Sequence, residues 1–188
     1  MGVLLAGVLA ACSVDQAGNR SFSGAESRPS SSSPPSGSIG RAAYTVTCDQ
    51  VIGRPKSPFA DGYRRVLGVV SVPAKFIPQV VKVSGLGWPY WEKSGIVLRA
   101  GRTPVTVSVP RAWRGRAAIT WGNGKPAASA IRFAPCPSPP GVWNAYAGGF
   151  FLRQHGACVP LVFQVGQQRQ RVRFGIDRRC GSHGSPNA

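Results

Sequence analysis

Residues 143–180 read WNAYAGGFFLRQHGACVPLVFQVGQQRQRVRFGIDRRC, and the second half of that stretch decides the fold. Cys158 and Cys180 bracket two alternating runs joined by Gly166-Gln167-Gln168. Val159, Leu161, Phe163 and Val165 share one face of the first run, and Val172, Phe174 and Ile176 one face of the second. Period-two alternation on both sides of a glycine-containing turn predicts a β-hairpin with one apolar side. Its other side carries Arg169, Arg171 and Arg173. A greasy hairpin face has to be covered by a second layer, so the hairpin implies packed sheets.

Upstream, the same kind of signal recurs. Ala43 to Cys48 predicts an opening strand, and Arg65 to Val72, Gln79 to Val83 and Ile96 to Leu98 are short β-branched runs. Val105, Val107 and Val109 alternate with Thr106 and Ser108 between Pro104 and Pro110, the pattern of a half-buried strand. Ala117 to Trp121 is followed by Gly122-Asn123-Gly124-Lys125, and Asn-Gly predicts a tight hairpin returning through Ala130 to Phe133. Pro135, Pro137, Pro139 and Pro140 then force an irregular crossing. About eight to ten short strands with regular turn signals predict an all-β domain, a two-sheet sandwich immunoglobulin-like in the broad sense, with a small barrel as the alternative. The domain is expected over residues 41–180, with 181–188 a frayed tail.

The 188 residues carry 23 Lys and Arg against 6 Asp and Glu, a net charge of +17. Only Lys56, Lys75, Lys82, Lys93 and Lys125 are lysine, so arginine dominates, and its planar fork grips carboxylate and phosphate bidentately. The charge favours an anionic partner: an anionic envelope polymer, a phospholipid headgroup or an acidic protein. No run after residue 12 approaches the ~20 apolar residues that a spanning helix needs.

Residues 1–11, MGVLLAGVLAA, form a short apolar segment suited to the core of a signal peptide. Leu9-Ala10-Ala11-Cys12 resembles the lipobox of bacterial lipoproteins, [LVI]-[ASTVI]-[GAS]-C. The resemblance implies that Cys12 is acylated and becomes the mature N-terminus, anchoring the chain to the outer face of the cell membrane. No Lys or Arg precedes the apolar segment, a departure from the usual signal. Residues 12–40 then read as a Ser-, Gly- and Pro-rich tether, too polar to bury a core. Outside the cytoplasm, nucleic acid is not an expected partner.

With Cys12 acylated, Cys48, Cys136, Cys158 and Cys180 remain, an even number in an exported chain and hence two disulfides. The hairpin turn near residue 167 brings Cys158 and Cys180 together, which leaves Cys48 with Cys136. No close Cys or His pair suits zinc, and no motif points to a metal or cofactor. The sequence holds no G-x-S-x-G, no phosphate-cradling glycine loop and no HExxH. A hydrolase would need His155 beside an acid and a hydroxyl in a cleft.

Two patches are candidate binding surfaces. Arg169, Arg171 and Arg173, spaced about 7 Å apart along one strand face, with Arg178 and Arg179 beyond them, form a candidate anion grip whose alternative is a solvated strand face. Trp88, Tyr90 and Trp91 crowd a Pro-containing segment and suit sugar rings or a peptide if exposed, and simple core if buried. The segments Lys93-Ser-Gly95, Leu98-Arg-Ala-Gly101, Trp121-Gly122, Trp143 to Phe150 and Cys158-Val-Pro-Leu161 resemble small secreted or lipoprotein domains of actinobacteria. That resemblance implies address and extent, and brings no active site. The expected function is a non-catalytic binding or structural module at the cell envelope. A carbohydrate or peptide binder using Trp88, Tyr90 and Trp91 is its alternative, and an envelope hydrolase the third reading.

Overall fold

The computed structural model describes residues 43–58, 62–74 and 77–181. The expected signal segment, Cys12, the tether and the tail from residue 182 lie outside the described residues. The described chain is all-β, with 13 strands and two single 3-10 turns, Cys48–Gln50 and Arg111–Trp113. The strands are β1 (Tyr44–Val46), β2 (Tyr63–Val66), β3 (Val70–Pro73), β4 (Val81–Lys82), β5 (Tyr90–Lys93), β6 (Ile96–Arg99) and β7 (Val105–Ser108). They continue with β8 (Ala117–Trp121), β9 (Ala130–Phe133), β10 (Trp143–Tyr146), β11 (Gly148–Leu152), β12 (Ala157–Val165) and β13 (Gln168–Ile176). No helix among the described residues is long and apolar enough to cross a membrane.

The C-terminal hairpin forms as its alternation requires. β12 and β13 pair antiparallel from Val165↔Gln168 to Ala157↔Ile176 around the two-residue turn Gly166-Gln167. Val159, Leu161, Phe163, Val172, Phe174 and Ile176 are all buried. Arg169, Arg171 and Arg173 are exposed on the opposite face. The hairpin closes a five-stranded sheet of order β1-β9-β7-β12-β13. This sheet is mixed, because β1 runs parallel to β9.

Two further four-stranded sheets, β10-β6-β3-β2 and β4-β5-β11-β8, cover its apolar face. They are joined by bent strands. β5 and β6 are separated only by Ser94-Gly95, and β10 and β11 only by Ala147. The register carries straight through, from Trp143↔Arg99 to Tyr146↔Ile96 and then from Gly149↔Lys93 to Leu152↔Tyr90. At the joint the Ser94 N–H donates to the Gly148 carbonyl at 2.7 Å, and the Trp121 indole donates to the Ser94 carbonyl at 2.9 Å. One core collects side chains from all three sheets. Its aromatic contacts run Phe133–Tyr146 (5.0 Å), Trp121–Phe150 (5.8 Å) and Phe150–Phe174 (5.4 Å).

Three departures from the expected two sheets and eight to ten strands have local causes. The bend just described divides one expected sheet into two. The run Arg65 to Val72 contains a turn, with Leu67 at φ 51° and Gly68 at φ 70°, and so becomes the β2–β3 hairpin. Leucine carries no turn signal, since β-carbon sterics disfavour that region. The Asn123-Gly124 turn forms, but its return leg pairs with β8 only at the isolated bridge Ile119↔Ala128. Pro126 lacks the N–H to extend a ladder, and the chain crosses to β7 and β1 as β9.

Both disulfides form in the expected pairing. Cys48–Cys136 has a Cα separation of 5.4 Å and Cys158–Cys180 one of 5.2 Å. Two such bridges suit an oxidising, extracytoplasmic location. Cys158–Cys180 spans 22 positions, so removing both thiols (Cys158→Ser with Cys180→Ser) is expected to cost about 3 kcal/mol. For a domain of this size that lowers the melting temperature by about 6–12 °C. A melt superimposable on the native protein's would show that the bridge constrains nothing.

Candidate anion-binding cleft

After β13 the chain reverses sharply. An added β-carbon at Gly175 would stand 2.6 Å from the Arg178 carbonyl oxygen, so only glycine lets residues 177–180 fold back on the strand. Asp177 takes φ 46°, and the Cys158–Cys180 bridge pins the reversal against β12. Arg178 and Arg179 are thereby held beside the β11–β12 connection.

A second segment meets them there. Pro110 opens the 3-10 turn Arg111–Trp113, the Trp113 N–H donates to the Pro110 carbonyl at 2.8 Å, and Arg116 N–H donates to the Trp113 carbonyl at 2.8 Å. The Arg153 N–H then donates to the Arg116 carbonyl at 3.0 Å, which aligns these two arginines at the ends of β8 and β11. The result is a cleft of about 610 Å³ whose lining includes Trp113, Arg116, Arg153, Cys158, Arg178 and Arg179. Among the described residues no carboxylate lines it.

Two of the guanidinium groups rest on aromatic rings. Arg116 lies 5.8 Å from the Trp113 ring centre and Arg153 4.5 Å from that of Trp88. Arg153 Nη1 also donates to the Gly87 carbonyl at 2.8 Å. Stacking orients the flat forks and lowers the entropy lost when they bind. Four like charges around one cavity repel each other, and an entering anion is attracted by all of them. Phosphate or carboxylate oxygens match the forks geometrically.

The five arginines singled out from the sequence are divided by the fold. Arg178 and Arg179 line the cleft, whereas Arg169, Arg171 and Arg173 stand on the outer face of β13, outside its lining. There Arg169 Nε donates to Gln164 Oε1 at 3.1 Å, and the Arg173 carbonyl accepts from Arg64 Nη2 at 2.8 Å. The aromatic trio is divided too. Trp88 is buried beneath Arg153, Tyr90 packs on the core, and Trp91 points to the other face of β5, half-buried beside Phe151.

His155 Nε2 lies 3.0 Å from Asp177 Oδ2, and the His155 ring meets the edge of Tyr90 at 5.5 Å. The acid that a hydrolase requires is therefore present. Among the described residues the cleft lining contains no serine or threonine, and Cys158 is held in a disulfide. Among the described residues no three His, Cys, Asp or Glu side chains gather as a metal site.

Sequence reading missed Trp113, Arg116 and Arg153. Trp113-Arg-Gly-Arg116 behind Pro110 carried a usable signal, a tryptophan three residues from an arginine in a proline-bounded turn. Arg153 had none beyond its position at a strand end. No protein-family model and no curated protein matches the chain.

Proposed function

We propose that the protein is a non-catalytic binding module, lipid-anchored through Cys12 at the extracytoplasmic face of a bacterial membrane, that takes a phosphate- or carboxylate-bearing envelope component in the arginine cleft. The observation that carries this reading is the convergence of Arg116, Arg153, Arg178, Arg179 and Trp113 on one cavity lined by no acid among the described residues. The two disulfides and the lipobox-like Leu9-Ala10-Ala11-Cys12 support the location. The net charge of +17 supports long-range attraction of the same class of partner.

The test is calorimetric titration with inorganic phosphate and with a poly(glycerol phosphate). Arg116→Ala and Arg178→Ala are each expected to weaken binding about tenfold or more, as loss of a charge-assisted hydrogen bond does. Arg171→Ala, on the outer face of β13, should leave affinity within about twofold. Binding should also weaken steeply with added salt. An Arg171→Ala loss equal to that of Arg116→Ala would place the site on the strand face and reject the cleft.

A further inference from the structure

The sheet β4-β5-β11-β8 carries apolar side chains on both faces. Its inner face supplies Phe150, Leu152 and Ile119 to the core. Across its outer face the register aligns Val81↔Trp91, Trp91↔Phe151 and Phe151↔Ala118, four apolar side chains in one continuous row. A sheet face turned to water ordinarily carries polar residues. Here Ala118 and Phe151 are covered, Trp91 is half-buried, and Val81 is 46% exposed, with Leu86 on the neighbouring loop at 57%. Val83, Leu86, Trp91 and Phe151 line an open groove of about 370 Å³ along this face, together with Lys93 and Lys125 and, among the described residues, no acid.

The groove and the arginine cleft share no lining residue, but Arg153 of the cleft adjoins the groove's Phe151 and Leu86. Arg153 lies two positions beyond Phe151 on β11's side of the sheet, lines the cleft, and stacks on Trp88. Trp88 in turn packs in one cluster with Ala118 and Phe151, against which Trp91 rests. Arg153 also holds the Gly87 carbonyl, beside Leu86. A surface that is cationic at one end and apolar along the adjoining strands fits a ligand with the same division.

From this continuity, and resting on the anion-binding reading of the cleft, we infer that the ligand is an anionic amphiphile: its phosphate or carboxylate head sits among the arginines, and its hydrocarbon chain lies along the Trp91–Phe151 row. Lys93 and Lys125 suit that occupant, because their methylene stems extend the apolar wall while their ammonium groups remain in water.

The experiment titrates the full chain with ethyl, butyl, hexyl and octyl phosphate below their micelle concentrations, at fixed salt, reading tryptophan fluorescence and heat. A fully buried methylene raises affinity about fourfold, and one lying in an open groove about twofold. Octyl phosphate is thus expected to bind on the order of 50-fold tighter than ethyl phosphate. Trp91→Ala, and independently the exposed Leu86→Ser, should cut that ratio severalfold while leaving the ethyl phosphate affinity unchanged. Arg116→Ala should weaken every member equally, and the neutral octyl glucoside should bind at least about tenfold more weakly than octyl phosphate. Affinity independent of chain length, with Arg116→Ala still damaging, would overturn the amphiphile and leave the anion cleft standing. No binding by any phosphate, or binding indifferent to Arg116→Ala, would overturn both.

Discussion

Replacing Gly149 with alanine is expected to prevent the domain from folding. β11 lies between β5 and β8 with its backbone so close to both that the two glycines at its start have no room for a side chain. A β-carbon at Gly149 would stand 1.8 Å from the Glu92 carbonyl oxygen, and one at Gly148 would stand 1.9 Å from that of Thr120. These neighbours are backbone atoms of flanking strands, so no rotamer change relieves the overlap. The strands must separate at the bend that joins two sheets, with loss of the ladder bonds there. We expect a cost of at least about 4–5 kcal/mol, comparable to the whole stability of many domains. Gly53→Ala is the control, because a β-carbon there meets nothing within 4 Å. Soluble yield and thermal denaturation of both variants provide the measurement. A Gly149→Ala protein melting within a few degrees of the native one would mean that the strands are not packed as described.

The second large effect is a fall in stability between mildly acid and mildly alkaline pH, caused by Glu92. This residue faces the core from β5, is 3% exposed, and its Oε2 has no hydrogen-bond partner in the structure. Burial disfavours the charged carboxylate and pushes its pKa from 4.5 to about 8. Tyr63 stands close enough that burial and the Glu92 charge together raise its own pKa. Below about pH 4.5 the carboxyl is protonated in folded and unfolded chains alike, and it imposes no penalty. Between 4.5 and about 8 the unfolded chain releases the proton while the folded chain retains it, so stability declines steadily. Above about 8 both forms are ionised and the loss is complete. Its size is on the order of 4 kcal/mol. Urea denaturation at pH 5, 7 and 9 should show this decline in the native protein. Glu92→Gln should match it near pH 5 and be clearly more stable at pH 9. Equal slopes for the two proteins would show that another group carries the pH dependence.

How much was legible in the sequence differs between elements for physical reasons. Alternation along a strand is a local property, so the β12–β13 hairpin, its apolar face and the buried Val105 and Val107 of β7 follow directly from residue order. The Cys158–Cys180 pairing was only partly legible, since the hairpin register sets Cys158 opposite Gly175 and the reversal at 177–180 brings Cys180 back to it. The β2–β3 turn was hidden because Leu67 occupies a conformation that its residue type avoids. The bend at Ser94-Gly95 and Ala147 was hidden because a strand that changes sheets keeps its period of two.

The cleft lies at the far end of that scale. Arg169, Arg171 and Arg173 attracted attention because they are evenly spaced in sequence, yet spacing on one strand puts them in a row on an open face. Arg116, Arg153, Arg178 and Arg179 show no common period, and they come from three chain reversals that only the packed sheets bring together. Residue order alone determined the all-β class, the final hairpin and the cationic character of the chain. The tertiary structure decided which charges converge and which tryptophan faces water. Convergence of that kind depends on where strand ends meet across sheets, which no local periodicity encodes.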